Sequence, residues 1–447
     1  MNFMITNISK YIIIIFITIY TYYGFRSFAI EDDKKRKKKY NKMVFIIMFI
    51  HLMSYFVLYI NLENNKIIVL YLAELVVFLL IFILYQWVYP NLSRLLLNNV
   101  MIFIMTGLVI LTRLSFDKAL KHFIYVTIAF TISIFIPLII AKLKVVTKLG
   151  WLYVIVGILA LLSVSIFGYN FRGAQNWISI LGFSFQPSEF VKILFVFAVA
   201  GLLSYSTKFL HIVKVTFLAA IYVLILVLQR DLGGALIFYV TYLMMLYVAS
   251  KKVVYLFSGL LAGIAGSYVA YNFFGHVRIR VLAWQDPFLV IDNEGYQVSQ
   301  SLFAMGTGGW FGMGLTQGMP ESIPIVDSDF IFPAISEEMG GIYALCLILI
   351  FITTLVFSYN ISSKIQGEFY KLLALGLTSV LAFQAFLSIG GATKLIPSTG
   401  VTLPFISYGG SSILSCIIMF AIIQGLFILN QDRIEKNEKT KQDKKNR

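Results

Sequence analysis

Thirteen apolar runs, each about as long as a bilayer is thick, constrain this chain more than any other feature. A bilayer-crossing helix needs about 20 predominantly apolar residues, because nothing at that depth but the helix itself satisfies the backbone. The runs span residues 11–30, 43–62, 67–88, 100–114, 123–140, 149–167, 189–203, 215–228, 232–248, 253–274, 340–358, 372–389 and 413–429. Composition agrees: 59% of residues are hydrophobic and 13% charged, against about a quarter charged in soluble domains. That balance excludes a soluble enzyme, a disordered tail and a secreted disulfide scaffold. The two cysteines, Cys346 and Cys416, both lie inside apolar runs and imply no disulfide framework. The chain reads as an all-α, polytopic membrane protein. Its first run is too long, and lacks the small-residue cleavage site, for a removable signal peptide.

Lysines and arginines set the expected orientation. The segment EDDKKRKKKYNK (31–42) holds seven of them, and 430–447 holds seven more. Placing both inside puts 24 of the 36 basic residues inside and nine outside, with Arg26, Arg113 and Lys192 in or at the ends of spans. An N-terminus outside and a cytoplasmic C-terminus follow. The net charge of +15 is thereby mostly a topology signal, and nucleic-acid binding is not needed to explain it.

One outward connection, 275–338, dwarfs the rest at 64 residues. It carries eight carboxylates (Asp286, Asp292, Glu294, Glu321, Asp327, Asp329, Glu337, Glu338) and only two cations, Arg278 and Arg280. Long connections in compact proteins are usually functional or disordered. The aromatic, glycine-patterned character of this one favours an ordered loop. Its GTGGWFGMG stretch (306–314) suits tight turns or close backbone approach, and without the P-loop lysine it is a poor nucleotide site. Two further outward connections stand out. In 168–186, followed by PSEF, Pro187 fits a first helical turn and Glu189 favours the positive end of that helix. Lys192 follows on the same face, so Glu189–Lys192 is a candidate intramembrane pair, functional or merely self-neutralising. Segment 390–410 holds two prolines and five glycines, irregular backbone that membrane depth tolerates only when it lines a cavity or is buried in protein. Together these suggest an outward-facing cavity roofed by irregular chain.

These pieces carry a resemblance. GAQNWI (173–178), FQPSE (185–189), QRDLGG (229–234), the Arg280-x5-Asp286-Pro287 spacing, GYQVSQSLFAMGTGG (295–309), SDFIFPAISEEMG (328–340) and TGVTLPFISYGGSS (399–412) resemble, in order, signatures of the SEDS family, which includes FtsW, RodA and SpoVE. The resemblance implies a ten-helix core (99–430), three additional spans (1–98), a basic cytoplasmic tail (431–447) and a long structured extracellular loop before the last three helices. It also implies a peptidoglycan polymerase acting on lipid II. The acceptor sugar's 4-hydroxyl attacks the donor's anomeric carbon with inversion, and undecaprenyl pyrophosphate leaves. A class B penicillin-binding protein is the implied partner, alongside membrane lipid. The family's essential aspartate falls on Asp329.

The chemistry is compatible. A glycosidase must protonate an alcohol leaving group and so usually needs two carboxyl groups. Pyrophosphate leaves as an anion and needs cations instead. One general base, Asp329, and a few positive charges suffice. Arg172, Arg230, Arg278, Arg280 and Lys394 are candidate pyrophosphate ligands, each equally open to pairing with a nearby acid such as Asp231. Trp177, Gln186, Glu189, Lys192, Asp231, Gln300, Ser407, Gly409 and Gly410 complete the expected substrate-binding set. Glu337 and Glu338 head the next span and are expected to complement its helix dipole. Where the family commonly has His, two residues before Asp329, this chain has Asp327. Asp327 adds like charge that disfavours ionising both acids, or shares a divalent cation with Asp329, or is a solvated loop acid. No cofactor is otherwise expected. Outside the match, His51 and Glu74 should meet at similar depth on adjacent spans. The competing functional readings are a lipid II flippase without covalent chemistry and a scaffold for the cell-wall synthesis complex.

Overall fold

The computed structural model describes residues 2–142, 147, 149–171, 174–180, 183–293 and 295–445. Thirteen of its helical segments are long and apolar enough to cross a membrane, and the chain is a multi-pass, all-α membrane protein. Three spans come first: α1 (Asn2–Ser27), α2 (Asp33–Leu62) and α3 (Asn65–Val88). Then α4 (Arg94–Leu114) forms the axis of the bundle, every residue from Leu95 to Thr112 being buried. It packs against α2, α3, α5, α14 and α15, and the first three spans are built onto the rest on several sides, α1 also packing on α15 and α3 on α5. Ser93 starts α4 by accepting a hydrogen bond from the Leu96 amide, the usual device for an orphan helical donor.

The run expected at 123–140 is two helices, α5 (Phe116–Ser133) and α6 (Ile136–Lys142). Pro137 accounts for the break: it has no amide hydrogen and its ring clashes with the carbonyl four residues earlier, that of Ser133. After α7 (Gly150–Phe167) the expected irregular connection is instead a β-meander. β1 (Tyr169–Phe171), β2 (Ala174–Ile180) and β3 (Phe183–Phe185) pair antiparallel, with Tyr169 opposite Trp177 and Ile178 opposite Phe185. Alternating aromatic and β-branched residues here fit a pleated surface better than a loop. α8 (Pro187–Tyr205) opens with Pro187 in its first turn, as its sequence predicts. α9 (Phe209–Leu228), α10 (Leu232–Ser250) and α11 (Val253–Phe273) follow, and no residue of α11 is buried.

The described residues of the long connection are largely helical: α12 (Gly275–Gln285), α13 (Tyr296–Gly308), a 3-10 turn at Pro320–Ser322, and α14 (Ile331–Met339). The last spans are α15 (Gly341–Lys364), α16 (Glu368–Ala392) and α17 (Gly410–Lys445). The glycine-rich stretch folds back on the end of α14. Met313 and Gly314 donate to the carbonyls of Glu337 and Glu338 at 2.8 and 2.9 Å. Gly312, at φ +75°, makes this approach possible, since a Cβ there would sit 2.4 Å from the Glu338 carbonyl oxygen. The carbonyl of Gly312 in turn accepts from Lys10 Nζ of α1 at 3.0 Å.

Candidate active site

Asp327, Ser328 and Asp329 form the turn that enters α14, and the connection between α16 and α17 closes over them. Tyr408 donates its amide to the Asp327 carbonyl at 2.8 Å. The Ser407 hydroxyl donates to the Ser328 carbonyl and accepts from the Leu403 amide at 2.8 Å. Ser407 is buried, and both of these bonds lie within protein, so its geometry is that of a pin between two loops. Two segments far apart in sequence are thus fixed to one another at the predicted base.

Gly400 lies beside both the predicted base and Arg280. It has φ +72°, a conformation L side chains rarely adopt. A Cβ there would lie 3.5 Å from Asp329 Oδ2 and 3.8 Å from Arg280 Nη2. Arg280, on α12, is held by the Ser398 carbonyl at 3.3 Å. Burial lowers its pKa from the usual guanidinium range, and attraction to Asp329 and then Asp231 offsets that only in part. Burial also lowers the pKa of His276, one turn earlier on α12, and repulsion from Arg280 and Arg230 adds to the effect.

The same Gly400 lines a cavity of about 40 Å³ with Gln186, Ser188, Glu189, Lys192, Asp231 and Thr402 among its walls. Here the predicted pair forms: Lys192 Nζ lies 2.9 Å from Glu189 Oε2. Lys192 also donates to Gln384 Oε1 at 2.9 Å, and Ser415 donates to Glu189 Oε2 at 2.9 Å. Asp231 caps α10, accepting from the Gly234 amide at 2.8 Å, and its other oxygen accepts from Gln186 Nε2 at 3.2 Å. The fold therefore gathers Gln186, Glu189, Lys192 and Asp231 around one cavity, with Arg280 and Asp329 adjoining it at Gly400.

Other predicted residues sit elsewhere. Trp177 is half-buried on β2, and Gln300 is half-buried on α13. Lys394 adopts φ +60° just past α16, and its carbonyl accepts from Trp284 Nε1 at 3.1 Å, fastening α12 to this loop. Gly410 begins α17 against the Tyr125 ring, 3.1 Å from where its Cβ would be, and Gly409 precedes it beside Ser412. Arg230 and Arg278 are exposed, Arg278 donating to the Asn272 carbonyl at 3.3 Å. Arg172 and Glu294 lie outside the described residues.

Asp327 does not face Asp329's cation. Its Oδ2 pairs with Lys118 Nζ of α5 at 2.9 Å. Among the described residues no cluster of three or more His, Cys, Asp or Glu is arranged to hold a metal ion. With Asp327 engaged by a lysine, the donor set does not suit a shared divalent cation, and no step is routed through one. Lys118 was not among the expected cations, although it stood among the few on the outward side.

Glu337 and Glu338 are not at the head of α15. They end α14, where the helix dipole opposes an anion. Gly340, at φ +95°, separates the two helices. What compensates is Arg113 at the end of α4: its Nε meets Glu338 Oε1 at 2.9 Å, Nη1 meets Glu321 at 2.5 Å, and Nη2 donates to the Gly318 carbonyl at 3.2 Å. Burial raises the Glu338 pKa to about 7, against the pull of Arg113. Glu337 is raised too, by burial first and then by Glu321.

Comparison with known proteins bears on this arrangement. A family profile described as "Cell cycle protein", representing FtsW, RodA and SpoVE, matches residues 86–431. The peptidoglycan glycosyltransferase RodA of Mycobacterium tuberculosis is 39% identical over 270 residues, which are 56% of this chain and 57% of that protein. The chain thus spans a little over half the length of this curated relative. A probable peptidoglycan glycosyltransferase FtsW of Aliivibrio salmonicida is 30% identical over 372 residues, covering 76% of this chain and 91% of that one. Among solved structures, a chain of a peptidoglycan synthase complex superposes with a TM-score of 0.64 at 22% identity, over 76% of this chain and 98% of that chain.

Proposed function

The chain belongs to the FtsW, RodA and SpoVE family, and on that premise we propose that it is a peptidoglycan glycosyltransferase that polymerises lipid II. Asp329 acts as the general base, taking the proton of the acceptor's 4-hydroxyl as that oxygen attacks the anomeric carbon of the donor. Configuration inverts, and undecaprenyl pyrophosphate departs. Arg280 stabilises the charge that gathers on the leaving diphosphate. The observation that carries this reading is the position of Gly400, which lines the cavity and whose absent side chain leaves room beside both Asp329 and Arg280. Gln186, Glu189, Lys192 and Asp231 shape that wall. Residues 99–430 form the polymerising core, 1–98 an added three-span unit and 431–447 a cytoplasmic tail. The basic ends of α2 and α17 face the cytoplasm, so the site opens outward. A class B penicillin-binding protein cross-links the product.

The deciding assay uses purified full-length chain with lipid II and its transpeptidase. Asp329→Asn is expected to abolish glycan strands while lipid II binding persists. Strand formation by that variant would remove Asp329 as the base. Failure of the unaltered protein to polymerise, with lipid II nonetheless moved across vesicles, would favour a flippase.

A further inference from the structure

The N-terminal end of α2 is a strongly basic stretch of helix. The helix has 30 residues, about 45 Å at the usual rise, against about 30 Å of hydrocarbon. Its apolar part, from Met43 onward, is long enough to cross, so residues 33–42 overhang. This overhang is ordered helix and not a loose tail. Asp32 caps it, accepting from the Lys34 amide at 2.8 Å. Tyr40 is buried, its carbonyl accepts from Asn98 Nδ2 at 3.1 Å, and Asn41 accepts from Arg94 Nη1 at 3.1 Å.

Six consecutive cations, Lys34 to Lys39, occupy the first two turns. They crowd the positive end of the helix dipole, where cations are destabilising and anions stabilising. Within the protein the relief is partial. Arg36 pairs with Asp33, and Lys35 lies 4.0 Å from Asp32. Lys39 is turned over the Tyr22 and Tyr23 rings at 5.8 and 5.4 Å, into the field of Arg26 and Lys42. Lys34, Lys37 and Lys38 are exposed and have no acidic partner among the described residues. Topology alone does not require this density. The other connections assigned to the same side, apart from the C-terminal tail, carry one to three cations each.

We propose that this capped basic overhang, with Arg26 of α1 and Arg94 of α4 beside it, binds the phosphates of anionic phospholipid headgroups. The helix dipole and the three unpaired lysines supply the attraction, and the tyrosine-backed Lys39 supplies a rim at the interface. The site lies in the added three-span unit and does not depend on the polymerase assignment.

The test reconstitutes the full chain in nanodiscs of phosphatidylglycerol and phosphatidylcholine and measures lipids retained by native mass spectrometry. The unaltered protein should retain phosphatidylglycerol preferentially, and Lys34→Gln/Lys37→Gln/Lys38→Gln should lower that preference about three-fold or more, toward none. The corresponding triple arginine variant should keep it, and raising salt to about 1 M should erase it in both. All three lysines are exposed, so melting temperatures should match and report equal folding. No preference in the unaltered protein, or an undiminished one in the glutamine variant, overturns the proposal. Displacement of phosphatidylglycerol by soluble glycerol phosphate at millimolar concentration would also overturn it, by assigning the site to a soluble anion.

Discussion

Glu338 occupies a position that the local sequence misrepresents. Read along the chain it precedes a span and should complement the start of a helix, yet Gly340 breaks the backbone and leaves it at the end of α14. Its stabilisation comes from Arg113, 225 residues away in sequence. With the folded pKa near 7 and the ordinary value at 4.5, the folded state holds this proton more tightly than the unfolded state does. Stability should therefore be greatest below about pH 4.5, fall as pH rises toward 7, and level off above it. Melting curves between pH 5 and 8 should show that fall, and Glu338→Gln should flatten it; an unchanged slope would mean the carboxyl titrates elsewhere. Asp327 differs in kind. Its Lys118 partner is 46% exposed, so the pair contributes on the order of 1 kcal/mol or less. Asp327→Asn should leave polymerisation within a few-fold of the unaltered protein, the opposite of the loss expected for Asp329→Asn.

At the scale of elements, α14 links the site to the bundle axis. Its N-terminal end follows Asp329, and its C-terminal end is held by Arg113 of α4 and clipped by the glycine-rich stretch. Removing Arg113 leaves Glu338 and Glu321 without their cation, a change that typically costs about 3–5 kcal/mol when the pair is buried. Glu321 is half exposed, which places the expected loss toward the lower end. Arg113→Met should lower the melting temperature and slow polymerisation with lipid II affinity little changed, whereas Arg113→Lys should recover part of the rate. Equal losses in binding and rate would argue for general unfolding. The connection between α16 and α17 is the second fastening, since Ser407 and Tyr408 hold the turn that carries Asp329.

Across the whole molecule, the first three spans join the rest through a buried polar network. His51 Nε2 meets Glu74 Oε2 at 2.8 Å, and the Tyr55 hydroxyl donates to Glu74 Oε1 at 2.9 Å and meets Thr112 of α4 at 3.0 Å. Both side chains of this hydrogen-bonded pair are fully buried. Deleting one partner strands the other, so Glu74→Leu should destabilise the protein by about 3 kcal/mol or more. Adding His51→Leu should restore much of that loss, because it removes the imidazole that Glu74→Leu leaves without a partner. Denaturation in detergent would measure both, and a double variant worse than the single would show that the pair does more than satisfy itself. Thr112 adjoins Arg113, so this network and the anchor of α14 share one turn of α4.

The chain's sequence by itself determined the number of spans and the family, because apolar length and short motifs are local properties. The Glu189–Lys192 pair was legible for the same reason: three residues apart on a helix puts side chains on one face. The antiparallel pairing of 169–185 was not legible, since its strands are only three to seven residues long. Nor was the choice of partners. Asp327 with Lys118, Glu338 with Arg113, and Asp329 beside Arg280 and Gly400 each join segments separated by tens to hundreds of residues. Charges in a low-dielectric interior pair with whichever opposite charge the packing brings near, and only the tertiary structure decides which that is.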